Sequence, residues 1–203
     1  RGLVAPEREG VTPETAMPGV RARLAGALQR RPRPGEPLRL VTIAFSHYCE
    51  KARWALDRAR LAYREEAHLP FFAAAASYAA GGRRTVPVLV TPEGTLSDST
   101  DILRWIDDNA EVEPLFPIGA PEAAILEDQL DRRFGPHARR LIYGELMAHA
   151  GTMRQVLPRA GAAWQARVAA PAFPLMTALM RRGMGIDAAE VWRTVGEVGA
   201  TTM

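Results

Sequence analysis

The sequence has little cysteine and no long uninterrupted apolar run. Cys49 is the only cysteine among the 203 residues, so an internal disulfide is excluded and a reducing compartment is favoured. The most apolar stretch, residues 160–180, is interrupted by Arg167, Pro171 and Pro174. It therefore lacks the roughly 18 consecutive apolar residues that a membrane-spanning helix needs. These features predict a cytoplasmic protein that does not enter a membrane.

Lysine is equally scarce, because Lys51 is the only one among 26 basic residues. The formal net charge is only +3. No basic stretch interleaved with aromatic residues, the pattern of nucleic-acid-binding segments, occurs in the sequence. We therefore expect no nucleic-acid partner.

The histidines do not have the spacing of metal ligands. His47 and Cys49 do not form a zinc-site pair, and His68, His137 and His149 are dispersed along the chain. We predict no metal site.

Residues 1–37 differ from the rest of the chain in being rich in proline, glycine and arginine. Apolar residues at helical spacing predict a short helix within residues 18–31, and the prolines that follow predict an extended linker. Three glutamates before position 15 argue against an arginine-rich transit peptide. We interpret residues 1–37 as an N-terminal extension and linker.

Residues 38–110 alternate between strand and helix patterns. The predicted strands are residues 38–45, 62–69, 86–91 and 95–97, and the predicted helices are residues 47–61, 71–82 and 98–110. A strand–helix–strand unit gives a parallel pair, whereas the turn "PEG" gives an antiparallel hairpin. The order βαβαββα predicts a thioredoxin-like α/β domain over residues 38–110.

The remainder of the chain has only helical patterns. Residues 111–121 are punctuated by prolines and are interpreted as a linker, so residues 122–203 are predicted to form an all-α domain. Its first helical stretch is expected to bend near Gly135–Pro136. A second is expected to be broken by its prolines and to end near Gly183, and a third to begin at Asp187.

Three segments of the α/β domain carry chemistry suited to a small peptide thiol. Ser46 lies at a helix start, where free N–H groups stabilise a thiolate. Pro87 interrupts a predicted strand, which indicates a cis bond and an exposed backbone at Val86 that can pair with a ligand. At the next helix start, Asp98 can receive an ammonium group and Ser99 a carboxylate. A hydrogen bond from Ser46 to the sulfur then activates the bound thiol as a nucleophile.

Each of these segments also has a purely structural interpretation. Ser46 is a favoured helix N-cap, Pro87 is compatible with an edge strand, and Asp98 and Ser99 can serve only as a cap. Cys49, one turn into its helix, is interpreted as a small packed residue.

Other side chains are interpreted by their helical positions. Trp105, Ile106, Tyr143 and Trp164 are predicted to lie in the core, with an electrophile pocket as the alternative for Tyr143 and Trp164. Tyr48 is expected to pack rather than to act as a catalytic phenol. The pair Arg139–Arg140 is expected to lie on a solvated helix face.

Three motifs in this order resemble the N-terminal domain of cytosolic glutathione S-transferases. They are "SHYCEKARWAL", "RRTVPVLV" and "LSDSTDILRWID", and the resemblance covers residues 38–117. It implies a thioredoxin-like domain followed by an all-α domain. In serine-type members the serine contacts the glutathione sulfur, which implies a catalytic role for Ser46. By the same resemblance the glutathione-binding residues are Val86, cis-Pro87, Asp98 and Ser99, with Arg83 or Arg84 meeting the glycine carboxylate.

The resemblance implies an enzyme of detoxification that transfers glutathione, its co-substrate, to a small hydrophobic electrophile. The family is usually homodimeric, and its electrophile pocket lies between the domains. Two departures are the absence of a Ser/Thr-x-Ala-Asp capping signal and an end of the chain within an apparent helix, which indicate a truncated or reduced second domain. These two departures are also compatible with a second hypothesis, a non-catalytic protein that uses the fold for binding or assembly. A thiol–disulfide exchanger acting through a mixed disulfide of Cys49 is the third hypothesis.

Overall fold

The structure, a computed structural model, describes residues 30–149, 151, 155–156 and 160–184. Contacts divide the chain into residues 1–30 and residues 31–203, and the fold below is that of the second unit. The helix predicted from Asp187 lies outside the described residues, and so does almost all of the one predicted within residues 18–31. No helix in the described ranges is long and apolar enough to span a membrane.

The elements follow the predicted order. The strands are β1 (Leu38–Thr42), β2 (Tyr63–Ala67), β3 (Val88–Val90) and β4 (Thr95–Leu96), and the helices among them are α1 (His47–Arg58), α2 (Pro70–Ala79) and α3 (Ser99–Asn109). The helices that follow are α4 (Glu122–Gln129), α5 (Gly135–Ala148), α6 (Ala163–Ala169) and α7 (Phe173–Met184). The prediction of a βαβαββα unit followed by helices is confirmed.

The four strands form one mixed sheet in the order β2-β1-β3-β4. Strand β1 runs parallel to β2 and antiparallel to β3, so that Leu40 lies between Glu65 and Leu89. The short β4 pairs antiparallel with β3 and completes the predicted hairpin. The central strands are apolar because both their faces are covered, whereas the edge strand β2 carries charged residues that discourage edge-to-edge pairing.

Alternation along the central strands divides the core between the two faces of the sheet. On one face, Leu40 and Leu89 pack with α1 and α3, where Leu56 and Ile102 are fully buried. Val41, Val88 and Val90 belong to a second cluster with Ala80, which follows α2. Trp105 and Ile106 pack in the first cluster, so their predicted core positions are confirmed.

The helical part bends where the sequence predicts it. Residues Leu130–Phe134 form a π-helical turn between α4 and α5, and Pro136 has no N–H to donate to the preceding turn. Further along, residues Ala170–Ala172 form a 3₁₀ turn that separates α6 from α7, as the prolines indicate.

Two predictions for aromatic residues of the helical part have different outcomes. Tyr143 is buried, as expected for the core. The core position predicted for Trp164 is wrong, because this side chain is 56% exposed and contacts Phe72 edge-on at a centroid distance of 5.2 Å. Helical spacing alone does not tell which side of a helix is covered.

Candidate functional site

Ser46 is the N-cap of α1. Its Oγ accepts the Cys49 N–H at 3.4 Å, and its own N–H donates to the Ile43 carbonyl at 3.1 Å. A side-chain hydrogen bond between Ser46 and the Cys49 thiol also acts to lower the thiol pKa, although burial outweighs it. The two interpretations of Ser46 are compatible, because capping uses an oxygen lone pair and a ligand sulfur would compete with Cys49 for the hydroxyl proton.

Cys49 is a packed residue. It is fully buried, and its Sγ lies 3.5 Å from the Ile43 N–H, which points towards it. Burial raises the pKa of the thiol above its usual value, so little thiolate is present at neutral pH. Both properties disfavour the redox role considered for Cys49.

The segment before β3 has the backbone geometry that the proline indicates. The Val86–Pro87 peptide bond is cis, and β3 begins only after it, at Val88. The buried Ser77 hydroxyl contacts the carbonyls of Arg83 and Thr85. Within the described chain, no hydrogen bond involves the Val86 backbone, so its amide remains available to an added strand-like ligand.

Asp98 is the N-cap of α3, and its Oδ1 accepts the Thr100 N–H at 2.8 Å. Ser99, the first residue of the helix, is 3% exposed. The start of α3 therefore presents a carboxylate, a hydroxyl and the positive end of a helix dipole within one turn. The capping interpretation is confirmed, and one carboxylate oxygen of Asp98 is not used by it.

Two adjoining clefts open onto these segments. The first has a volume of about 510 Å³ and is lined by Val86, Pro87, Asp98 and Ser99. The second, of about 230 Å³, is lined by Ser46, Arg84 and again Val86. The structure thus brings the predicted site residues to two clefts that share part of their lining, whereas Arg83 lines neither cleft. The residues common to both clefts are Tyr48, Thr85, Val86 and Arg139.

Tyr48 is one of the cleft residues whose position the sequence did not predict. Its hydroxyl donates to the Asp131 carbonyl at 3.1 Å and so joins α1 to the π-helical turn. Burial raises the pKa of its phenol, and the charge of Asp131 adds to that shift. Tyr48 packs, as expected, but it also forms part of the cleft wall.

Arg139 is exposed, as predicted for a solvated helix face, and it also lines both clefts from α5. Ile142 and Tyr143, three and four residues further along, line the second cleft with it. This spacing puts the three side chains on one face of the helix, which is the signal that sequence reasoning could have used.

A charged cluster connects α1, α3 and α4 beside the first cleft. Lys51 Nζ lies 2.5 Å from Glu127 Oε1 and 2.8 Å from Asp131 Oδ2. The Thr100 hydroxyl donates to the same Glu127 oxygen at 2.6 Å. The single lysine of the chain therefore holds two carboxylates that come from a segment about 80 residues away in sequence.

A family model described as the glutathione S-transferase N-terminal domain matches residues 40–114. This part of the chain is therefore similar to the N-terminal domain of glutathione S-transferases. No curated protein matches.

One solved structure supports the fold. The chain is similar to glutathione transferase GSTFuA2 from Phanerochaete chrysosporium, with 16% identity, a TM-score of 0.52, and coverage of 78% of this chain and 68% of that one. A glutathione transferase homologue from Drosophila mojavensis with bound glutathione has 17% identity and a TM-score of 0.42, and the match covers 49% of this chain and 48% of that one. A Burkholderia homologue with bound glutathione has 20% identity and a TM-score of 0.41, with coverage of 58% and 66%. The chain thus spans about half the length of the Drosophila protein.

Proposed function

We propose that this protein binds reduced glutathione and transfers it to a small apolar electrophile. The observation that carries the proposal is that the Ser46 hydroxyl, the Val86 backbone and the start of α3 open onto the same pair of clefts. Each group matches one part of a short peptide thiol. The residues come from three separate segments, so their convergence is more specific than any one of them.

Glutathione would lie with its γ-glutamyl end in the first cleft. There Asp98 receives the ammonium group, while Ser99 and the free N–H groups of α3 hold the carboxylate. The Val86 backbone pairs with the central peptide. Arg84, which lines the second cleft, meets the glycine carboxylate at the other end.

This placement puts the sulfur at Ser46. A hydrogen bond from the Ser46 hydroxyl and the N-terminal end of α1 favour the thiolate over the thiol. The thiolate then attacks the electrophilic carbon, a carbon–sulfur bond forms, the leaving group departs with its electron pair, and the thiol proton passes to solvent. Apolar side chains of the second cleft, such as Phe45 and Tyr143, hold the acceptor.

The test separates the hydroxyl of Ser46 from its capping role. Ser46→Ala removes both, whereas Ser46→Gly removes the hydroxyl but costs the helix only a few tenths of a kcal/mol. A hydrogen bond to a charged group contributes about 1.5–3 kcal/mol, so both variants should lose about 10- to 100-fold in kcat with glutathione affinity nearly unchanged. Wild-type turnover by Ser46→Gly would leave Ser46 only a cap.

We further propose the domain division 38–110, 111–121 and 122–203, with residues 1–37 as an extension, and a cytoplasmic homodimer. An exposed apolar row along α4 and the π-helical turn supports the dimer. Its members are Ile125, Leu126, Leu130 and Phe134, each about half exposed. Leu126, Leu130 and Phe134 follow one another at intervals of four residues, which puts them near one another. Sedimentation at twice the mass of one chain is expected, and a monomer at all concentrations would refute the dimer.

A further inference from the structure

The second cleft combines apolar walls with positive charge. Phe45, Pro70, Ile142 and Tyr143 are among its lining residues, and no aspartate or glutamate lines it. Its only charged side chains at neutral pH are arginines. The first cleft differs, because it has acidic and basic residues in equal number.

The acidic residues of the first cleft already have partners. Asp128 pairs with Arg132 at 2.7 Å, and Asp131 pairs with Lys51 at 2.8 Å. Asp98 accepts the Thr100 N–H. Asp128 and Asp131 are thus paired with other groups, whereas Asp98 keeps one oxygen for the ammonium group of glutathione.

Arg139 and Arg84 are the arginines of the second cleft. Within the part of the chain that the structure describes, neither forms an ion pair or a hydrogen bond. Arg84 is assigned above to the glycine carboxylate of glutathione. That assignment leaves the exposed guanidinium of Arg139 beside the apolar side chains of its own helix face, unpaired among the described residues.

We infer that the electrophile this cleft accepts carries an anionic group, such as a carboxylate, which Arg139 binds while Ile142 and Tyr143 contact the apolar body. The inference rests on the proposed glutathione transfer and narrows its substrate class. Arg139 is then a specificity-determining residue. A planar guanidinium suits a carboxylate because it donates two parallel hydrogen bonds.

A matched pair of acceptors tests this inference. The probes are 4-chloro-3,5-dinitrobenzoate and its uncharged amide, 4-chloro-3,5-dinitrobenzamide, which have nearly the same shape. In both, the glutathione sulfur bonds to the ring carbon, chloride leaves with the bonding pair, and the thiol proton goes to solvent. Relative to the uncatalysed rate of each acceptor, we expect wild-type kcat/KM to favour the benzoate by up to about fivefold, with the difference in KM, since Arg139 is solvent-exposed.

Arg139→Gln should remove this preference by raising KM for the benzoate alone, and Arg139→Lys should restore part of it. The matched control is Arg133→Gln, an exposed arginine of the π-helical turn that lines neither cleft. It should leave the preference unchanged. An equal loss for both acceptors in Arg139→Gln would place the arginine at the thiolate and overturn the inference. Equal wild-type values of kcat/KM for the two acceptors, after each is divided by its uncatalysed rate, would also overturn it.

A binding measurement tests the anion subsite independently of whether the protein catalyses glutathione transfer. Unreactive 3,5-dinitrobenzoate and 3,5-dinitrobenzamide are titrated into the protein in the presence of glutathione. Tighter binding of the benzoate that is lost in Arg139→Gln supports an anion subsite. If the same protein shows no conjugation, the transferase proposal fails while the anion subsite stands. Equal binding of both probes by a protein that does conjugate glutathione overturns the subsite and leaves the transferase proposal standing.

Discussion

The charged cluster around Lys51 leads to a quantitative prediction. Lys51→Met keeps most of the apolar stem but removes the ammonium group that Glu127 and Asp131 share. The side chains of these three residues are only 22%, 14% and 26% exposed. Their separation from solvent is incomplete, so the loss should be smaller than the roughly 3–5 kcal/mol of a fully buried broken pair.

The structure supports a loss of about 2 kcal/mol in the free energy of unfolding. A hydrogen bond to a charged group contributes about 1.5–3 kcal/mol, and removal of the lysine also leaves the two carboxylates facing each other without a cation. The same substitution in a Glu127→Gln background should cost less, because one of these charges is then absent.

Urea unfolding provides the assay. In Lys51→Met the urea concentration at the midpoint should fall, while the dependence of the free energy of unfolding on urea concentration should not change. The matched control is Arg132→Met, which breaks a neighbouring pair whose side chains are 78% and 56% exposed. That loss should be below about 0.5 kcal/mol. Equal effects of Lys51→Met and Arg132→Met would refute the reasoning, because burial would then not distinguish the two pairs.

Two further substitutions and a pH effect concern the contacts of α5 and α6. Gln165→Leu should cost about 1–3 kcal/mol in urea unfolding, since the buried Leu69 N–H loses its acceptor at 2.9 Å, and an unchanged midpoint would contradict this. Burial lowers the pKa of His68 below 6.5, so His68 takes up a proton at higher pH in the unfolded chain than in the folded one. The free energy of unfolding should therefore fall as pH drops below about 6.5. The same pH dependence in a His68→Gln variant would assign the effect to another group. Gly135→Ala puts a Cβ against the Tyr48 hydroxyl oxygen, closer than van der Waals contact allows, and should cost about 1–3 kcal/mol; an unaffected thermal midpoint would refute that contact.

Local patterns predicted the elements better than their ends. The apolar run of β1 continues to Phe45, yet the strand ends at Thr42 because the Ser46 N–H bonds the Ile43 carbonyl and turns the chain. In the same way β3 begins after Pro87, which cannot donate to a ladder. Hydrophobic alternation does not include these competing hydrogen bonds.

The residues of the proposed binding site divide in the same way. Ser46, Pro87 and Asp98 could be predicted as candidates because each has a local signature, a cap or a proline in a strand. Tyr48 and Arg139 were interpreted as ordinary helix residues, because their positions on the cleft depend on contacts between α1 and a segment more than 80 residues away. Pairing at that separation leaves no periodic signal in a single sequence.

Calorimetric titration of reduced glutathione into the purified protein tests the central claim most directly. We predict saturable binding at one site per chain, with affinity retained in Ser46→Gly and weakened by about tenfold in Asp98→Asn, which loses the charge that faces the ammonium group. Asparagine is as good a helix N-cap as aspartate, so such weakening would not reflect lost folding. A folded protein that gives no detectable heat of binding with glutathione at any concentration up to millimolar would contradict the account.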